Sequence, residues 1–148
     1  MTSLSLGDVS TLLEAPSPAV LTTYRKDGSA LTSPVWFRWT GLAFEVVIAS
    51  DDVKMRHLER NPNCSLVIFE TIAPFRGVEL QGEASLTHCD VAEIRRSIAT
   101  RYLGSEVGER FAAARTSTPG VLLQLFPGQP RVWDLGAILP KPSHPSAA

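Results

Sequence analysis

The sequence predicts a small antiparallel β-barrel of about seven strands decorated by short helices, an α+β fold, and three observations carry that reading. Strand-like runs at 19–24, 30–39 and 42–49 follow one another with only tight turns between them, leaving no crossover helix for parallel pairing. LAFEVVIA is a nearly continuous apolar, β-branched run, the pattern of a strand covered on both faces. From Val78 to Leu86, apolar positions 78, 80, 84 and 86 alternate with Glu79, Gln81, Glu83 and Ser85. Gly82 falls on the inner set of that run, where a closing sheet needs a bend or bulge. Hairpin-linked strands with buried central members must close or be covered to hide their edges.

In order along the chain, Leu4 to Glu14 has the spacing of a short amphipathic helix that Pro16 and Pro18 end. AVLTTY and ALTSPVWFRW form a hairpin around Asp27-Gly28, and Thr40-Gly41 turns the chain into LAFEVVIA. Asp51 or Asp52 caps a helix from Val53 to Arg60, stopped by Asn61-Pro62. CSLVIFE and the Val78–Leu86 run are the next strands. Asp90 with Glu93 starts a helix through about Tyr102, and Gly104 separates it from a helical piece over 105–115. VLLQLF and RVWDL return as strands around Pro127-Gly128. Residues 1–136 are expected to be a single domain and 137–148 a Pro-rich C-terminal tail.

A formal net charge of -1 and a pI near 6.3 provide no field for nucleic acid or a membrane surface. No apolar run approaches the roughly 18 residues of a spanning helix, and MTSLSLGDVS lacks the regions of a signal peptide, so a cytoplasmic protein is expected. Cys64 and Cys89 form no C-x-x-C pattern and read as small buried hydrophobes. His57, His88 and His144 lie far apart, and no metal site is expected. Nucleophile elbows, phosphate loops and dinucleotide fingerprints are missing.

The segment that carries chemistry is ASDDVKMRHLERNP, from Ala49 to Pro62. Ser50, Asp51, Asp52, Val53 and Lys54 place a hydroxyl, free backbone N–H groups and an ammonium at one helix N-terminus, where a phosphate is well received. Lys54 and Leu58 are four apart, which brings the lysine out beside the buried stripe. Taken locally, these residues favour the plainer reading, a capped helix with Lys54 and Arg56 solvated. Val35, Trp36, Phe37 and Trp39 are likewise more often core or interface than cofactor platform. Pro34 just before them belongs at an edge or bulge, where freed backbone groups can face a ligand.

In order, AVLTTYRKDGSALTSPVWF, FEVVIASDDVKMRHLERNP, GVELQGEASL and RVWDL resemble the split-barrel flavin and deazaflavin reductase superfamily that includes pyridoxamine 5'-phosphate oxidase. The resemblance covers about Leu4 to Leu135 and implies an antiparallel split barrel of the FMN-binding type. It implies a homodimer with cofactor sites between subunits. Lys54, Ser50 and Arg56 would grip the cofactor phosphate, Pro34, Val35, Trp36 and Phe37 would flank the ring system, and Ala49 would allow close approach. Val78 to Gln81 and Trp133 would come from the partner subunit.

The chain departs from the pyridoxamine phosphate oxidases themselves. It reads Ser33-Pro-Val-Trp-Phe-Arg38 where they carry Arg-x-Val-Leu-Leu-Lys, and Arg131-Val-Trp-Asp-Leu135 where they carry an Arg-Leu-Ser-Asp-Arg-like substrate motif. P-V-W-F with K-x-x-x-L-x-x-N-P is more similar to the branch that uses the deazaflavin coenzyme F-420, with FMN as the alternative cofactor. The implied activity is hydride transfer to a small conjugated or unsaturated acceptor. The competing readings are an FMN-dependent reductase or oxidase and a cofactor carrier without turnover. No catalytic residue is assigned, because the cofactor carries the difficult chemistry.

Overall fold

The first hairpin forms where the sequence places it. Strands β1 (Ala19–Tyr24) and β2 (Ala30–Val35) pair antiparallel across a turn in which Asp27 accepts from the Ser29 N–H at 3.0 Å. The computed structural model describes residues 3–141. Before the hairpin, a 3-10 turn over Leu6–Val9 and helix α1 (Ser10–Glu14) bury Val9, Leu12 and Leu13, as the leucine spacing requires.

The run expected as one strand over 30–39 is two. The chain leaves β2 at Val35, turns through Trp36 and Phe37, and resumes as β3 (Arg38–Trp39) in a different sheet. The alternating run beginning near Val78 divides in the same way, into β6 (Gly77–Glu83) and β7 (Ser85–His88). That break falls at Ala84 rather than at Gly82. Periodicity registers which face is buried, and burial continues across a corner where the hydrogen-bonding partners change. Nine strands therefore stand among the described residues where about seven were expected.

The remaining elements follow the sequence closely. They are β4 (Phe44–Ala49), α2 (Val53–Arg60), β5 (Asn63–Phe69), α3 (Ala92–Leu103), α4 (Ser105–Ala113), β8 (Gly120–Leu125) and β9 (Arg131–Trp133). A five-stranded sheet runs β2-β1-β5-β6-β9 and a four-stranded sheet runs β3-β4-β8-β7, with every pairing antiparallel. The corners at 36–37 and at 84 join the sheets into a split barrel. β2 is an edge strand, which is where Pro34 can sit without breaking a ladder.

Leu21, Leu66 and Leu80 from one sheet meet Val46, Ile48 and Leu123 from the other in the core, and Met55 and Leu58 of α2 and the N-terminal leucines complete it. β4 is buried along nearly its whole length: Phe44, Val46 and Ile48 point into the barrel, while Glu45, Val47 and Ala49 take the outer face. Buried His57 ties α2 to β1, its Nδ1 lying 3.0 Å from the Thr23 hydroxyl. Cys64 is a core residue, and burial pushes its thiol up to about 11. Cys89 is exposed instead, because it follows β7 in the loop before α3.

Asp134 caps a further 3-10 turn over Leu135–Ile138, so regular structure extends past the expected boundary at 136. Of the tail expected over 137–148, residues 142–148, with His144, lie outside the described residues. Among the described residues no helix is long and apolar enough to cross a membrane.

Candidate functional site

The outer face of β4 and β8 is covered by the α3–α4 hairpin, and the cover is incomplete. A cavity of about 480 Å³ remains between the end of β2, the strand–helix join at Ala49 to Lys54, and the hairpin. Pro34, Val35 and Trp36 form one wall, Val47 and Ala49 the floor, and Asp52 and Lys54 one end. Arg95, Phe111 and Arg115 come from the helical side.

The turn after β4 sets the Lys54 end. Asp52 is the helix N-cap, accepting from the Lys54 N–H at 2.8 Å and from its ammonium at 3.0 Å. The lysine side chain is only 15 % exposed, so it is not the solvated surface charge that local composition favours. Burial opposes ionisation of Asp52, but the Lys54 backbone N–H and ammonium outweigh it and hold the carboxyl below its ordinary value.

Trp36 stacks on Tyr102 with ring centroids 5.2 Å apart and tilts against Phe111 at the same distance. The Tyr102 hydroxyl donates to the Ser17 carbonyl and accepts from the Phe37 N–H, which fixes the stack to the corner of the barrel. Of the expected residues, the structure therefore brings Pro34, Val35, Trp36, Ala49 and Lys54 to one cavity.

The others stand elsewhere. Phe37 does not flank the cavity: it is fully buried against Phe44, because the corner swings it between the sheets, and Tyr102 and Arg101 occupy its N–H and carbonyl. Arg56 is exposed and lines no part of the cavity, since two residues along a helix carry a side chain to the opposite side from Lys54. Ser50 is exposed in the turn, where its N–H donates to the Pro119 carbonyl. Gln81 is exposed on β6. Trp133 lies flat over Gly77, where a Cβ would come within 2.0 Å of its ring. Both belong to the other sheet and neither lines the cavity of its own chain.

Sequence reading missed Arg95, Phe111 and Arg115. Arg95 is 8 % exposed and donates to the Arg115 carbonyl at 2.8 Å and to the Thr118 carbonyl at 3.0 Å. Burial, then the charge of Arg115, lower its pKa from the ordinary value. Arg115 folds back over Phe111, its guanidinium carbon 3.7 Å from the ring centroid. A signal for Arg95 did exist: it stands four after Val91 and three before Ile98, a charge on the buried stripe of its helix. The cavity thus collects Lys54, Arg95 and Arg115 against Asp52, beside two aromatic rings. That chemistry suits a flat anionic molecule.

The family model described as pyridoxamine 5'-phosphate oxidase matches residues 7–134, and the chain belongs to that family. Among solved structures, it is similar to a conserved hypothetical protein from Mycobacterium tuberculosis, with a TM-score of 0.77 and 18% identity over 97% of this chain and 94% of the other. A putative pyridoxamine 5'-phosphate oxidase from Listeria innocua has a TM-score of 0.66 and 21% identity, covering 85% of this chain and 95% of its own. An F420 reductase has a TM-score of 0.59 and 21% identity, covering 82% and 94%. No curated protein matches the chain. At these identities the structural likenesses show the fold.

Proposed function

We propose that this protein is an oxidoreductase that uses the deazaflavin coenzyme F-420 to reduce a small conjugated or unsaturated molecule, acting as a homodimer. The observation that carries the reading is the position of Lys54, at the N-terminus of α2, on a cavity walled by Trp36 and Phe111. The residues fit a flat ring with an anionic chain: aromatic and proline walls for the ring, a small Ala49 at the floor, and an ammonium at a helix N-terminus for the phosphate. The similarity to an F420 reductase supports the same reading.

In it, Lys54 turns from Asp52 toward the phosphate at the N-terminus of α2. Pro34, Val35 and Trp36 orient the ring system, and Phe111 and Ile98 keep water from its covered face. The cofactor supplies the hydride, so no nucleophile or general acid is required of the chain. Gln81 and Trp133, absent from the cavity of their own chain, are the contributions proposed for the partner subunit.

Titrating purified protein with F-420 and with FMN, followed by fluorescence, tests the reading. F-420 binds, and Lys54→Ala weakens it by about 1 to 3 kcal/mol, the scale of a charge-assisted hydrogen bond. A yellow protein with an FMN spectrum and no affinity for F-420 would overturn the cofactor. Tight F-420 binding without reduction of any enone, quinone or tetrapyrrole acceptor would make the protein a carrier. Sedimentation as a monomer with cofactor fully bound would overturn the shared site.

A further inference from the structure

Arg95 is the feature that phosphate gripping leaves unexplained. A guanidinium at 8 % exposure ordinarily lies against a carboxylate, since burying an uncompensated charge is costly. Among the described residues, no carboxylate forms an ion pair with Arg95 or with Arg115. Two carbonyls, of Arg115 and Thr118, hold the Arg95 guanidinium against the loop that leads into β8. No other hydrogen bond engages it, and the side chain lines the cavity.

The surroundings preserve that position. A Cβ at Gly120 would meet Arg95 Nη2 at 2.9 Å and Val91 Cγ2 at 2.7 Å, so the strand leaves a gap that the arginine occupies. Arg115 is held by its own ring contact with Phe111 and by a 3.2 Å bond from its Nη1 to the Phe111 carbonyl. Two like charges are thus kept at one end of the cavity, where the charge of Asp90 reaches Arg95 without forming an ion pair with it. Lys54, by contrast, already has Asp52 at 3.0 Å.

A cofactor phosphate accounts for Lys54 and the helix N-terminus. It leaves the Arg95–Arg115 pair without an anion. A guanidinium presents planar parallel donors that match a carboxylate in bidentate geometry, and a second cation beside it strengthens that preference. We propose that Arg95 and Arg115 form a carboxylate subsite, so that the acceptor reduced in this cavity is an unsaturated acid. The proposal rests on the reading of the cavity as the cofactor and acceptor site.

The test is calorimetric titration of the F-420-loaded protein with trans-cinnamate and with methyl cinnamate, which share a ring and a double bond and differ in charge. The acid binds more tightly than the ester in the wild type. Arg95→Gln lowers the acid-over-ester ratio by about tenfold or more, the loss of one charged hydrogen-bond partner. Arg115→Gln lowers the ratio less, and because Arg115 is exposed that variant guards against a misfolded Arg95→Gln protein.

Equal affinity for acid and ester in the wild type overturns the subsite. So does an unchanged ratio in both variants accompanied by weaker F-420 binding, which would assign the pair to carboxylates of the cofactor itself. Repeating the titration without cofactor separates the two readings. A wild type that prefers the acid but binds no F-420 sinks the cofactor and keeps the subsite; one that binds F-420 and treats acid and ester alike does the reverse.

Discussion

The outer face of the four-stranded sheet has two ends that treat charge in opposite ways. At the β3 end, Glu45 is 5 % exposed and fully engaged: Arg38 Nε donates to it at 2.7 Å and Gln124 Nε2 donates to its other oxygen at 2.7 Å. Four residues further along the same strand, Ala49 opens onto the cavity, where Lys54 pairs with Asp52 and, among the described residues, neither Arg95 nor Arg115 has a carboxylate in an ion pair. Both ends lie beneath or beside the same helical hairpin. The paired end ties β3, β4 and β8 together, and the other end keeps an excess of positive charge.

The contrast breaks most visibly at Glu45. Glu45→Ala leaves Arg38 and Gln124 facing each other without an acceptor and is expected to cost about 3 kcal/mol, read as a lower urea midpoint. Gly120→Ala at the cationic end is expected to cost about 2 kcal/mol by overpacking against Val91 and Arg95, and to reduce ligand affinity with it. Asp52→Ala removes the cap of α2 for about 1 kcal/mol. Lys54→Gln is expected to change stability by no more than about 0.5 kcal/mol while affinity falls, since it removes one of three like charges. A Lys54 variant as destabilised as the Glu45 variant would abolish the distinction between the ends.

The smallest effect is a pH dependence on α2. Burial, then the charges of Arg60 and Arg25, lower the pKa of His57 from 6.5, so the unfolded chain binds more protons just below that value. Stability from this group is complete above pH 6.5 and declines as pH falls toward the lower folded value. Melting temperature measured against pH should show that slope, and His57→Gln should flatten it.

Most elements were legible because their signals are local. Asp52 and Asn61 bracket α2 at the expected residues, and alternation marked the buried Val78 and Leu80 of β6. The corners were not legible. Trp36-Phe37 and Ala84 continue the apolar pattern of their runs, and nothing in a period of two reveals that the pairing strand has changed. Half of the cavity was legible for the same reason: Pro34 to Trp36 and Ala49 to Lys54 lie on segments whose turn and cap chemistry could be read directly. Arg95 and Arg115 reach it only through the packing of a helical hairpin, more than forty positions downstream of Ala49. Pattern reading records such an arginine as an interruption in an apolar stripe and gives it no address in space.

The clasp of Arg101 makes the start of the chain part of this wall. Its guanidinium lies over the Phe37 ring and donates to the carbonyls of Leu13, Glu14, Ala15 and Phe37, while Tyr102 beside it holds Ser17. A protease cut between α1 and β1 would therefore be felt at the aromatic stack nearly ninety positions away, as lost amide protection at the end of α3 before any strand of the barrel opens.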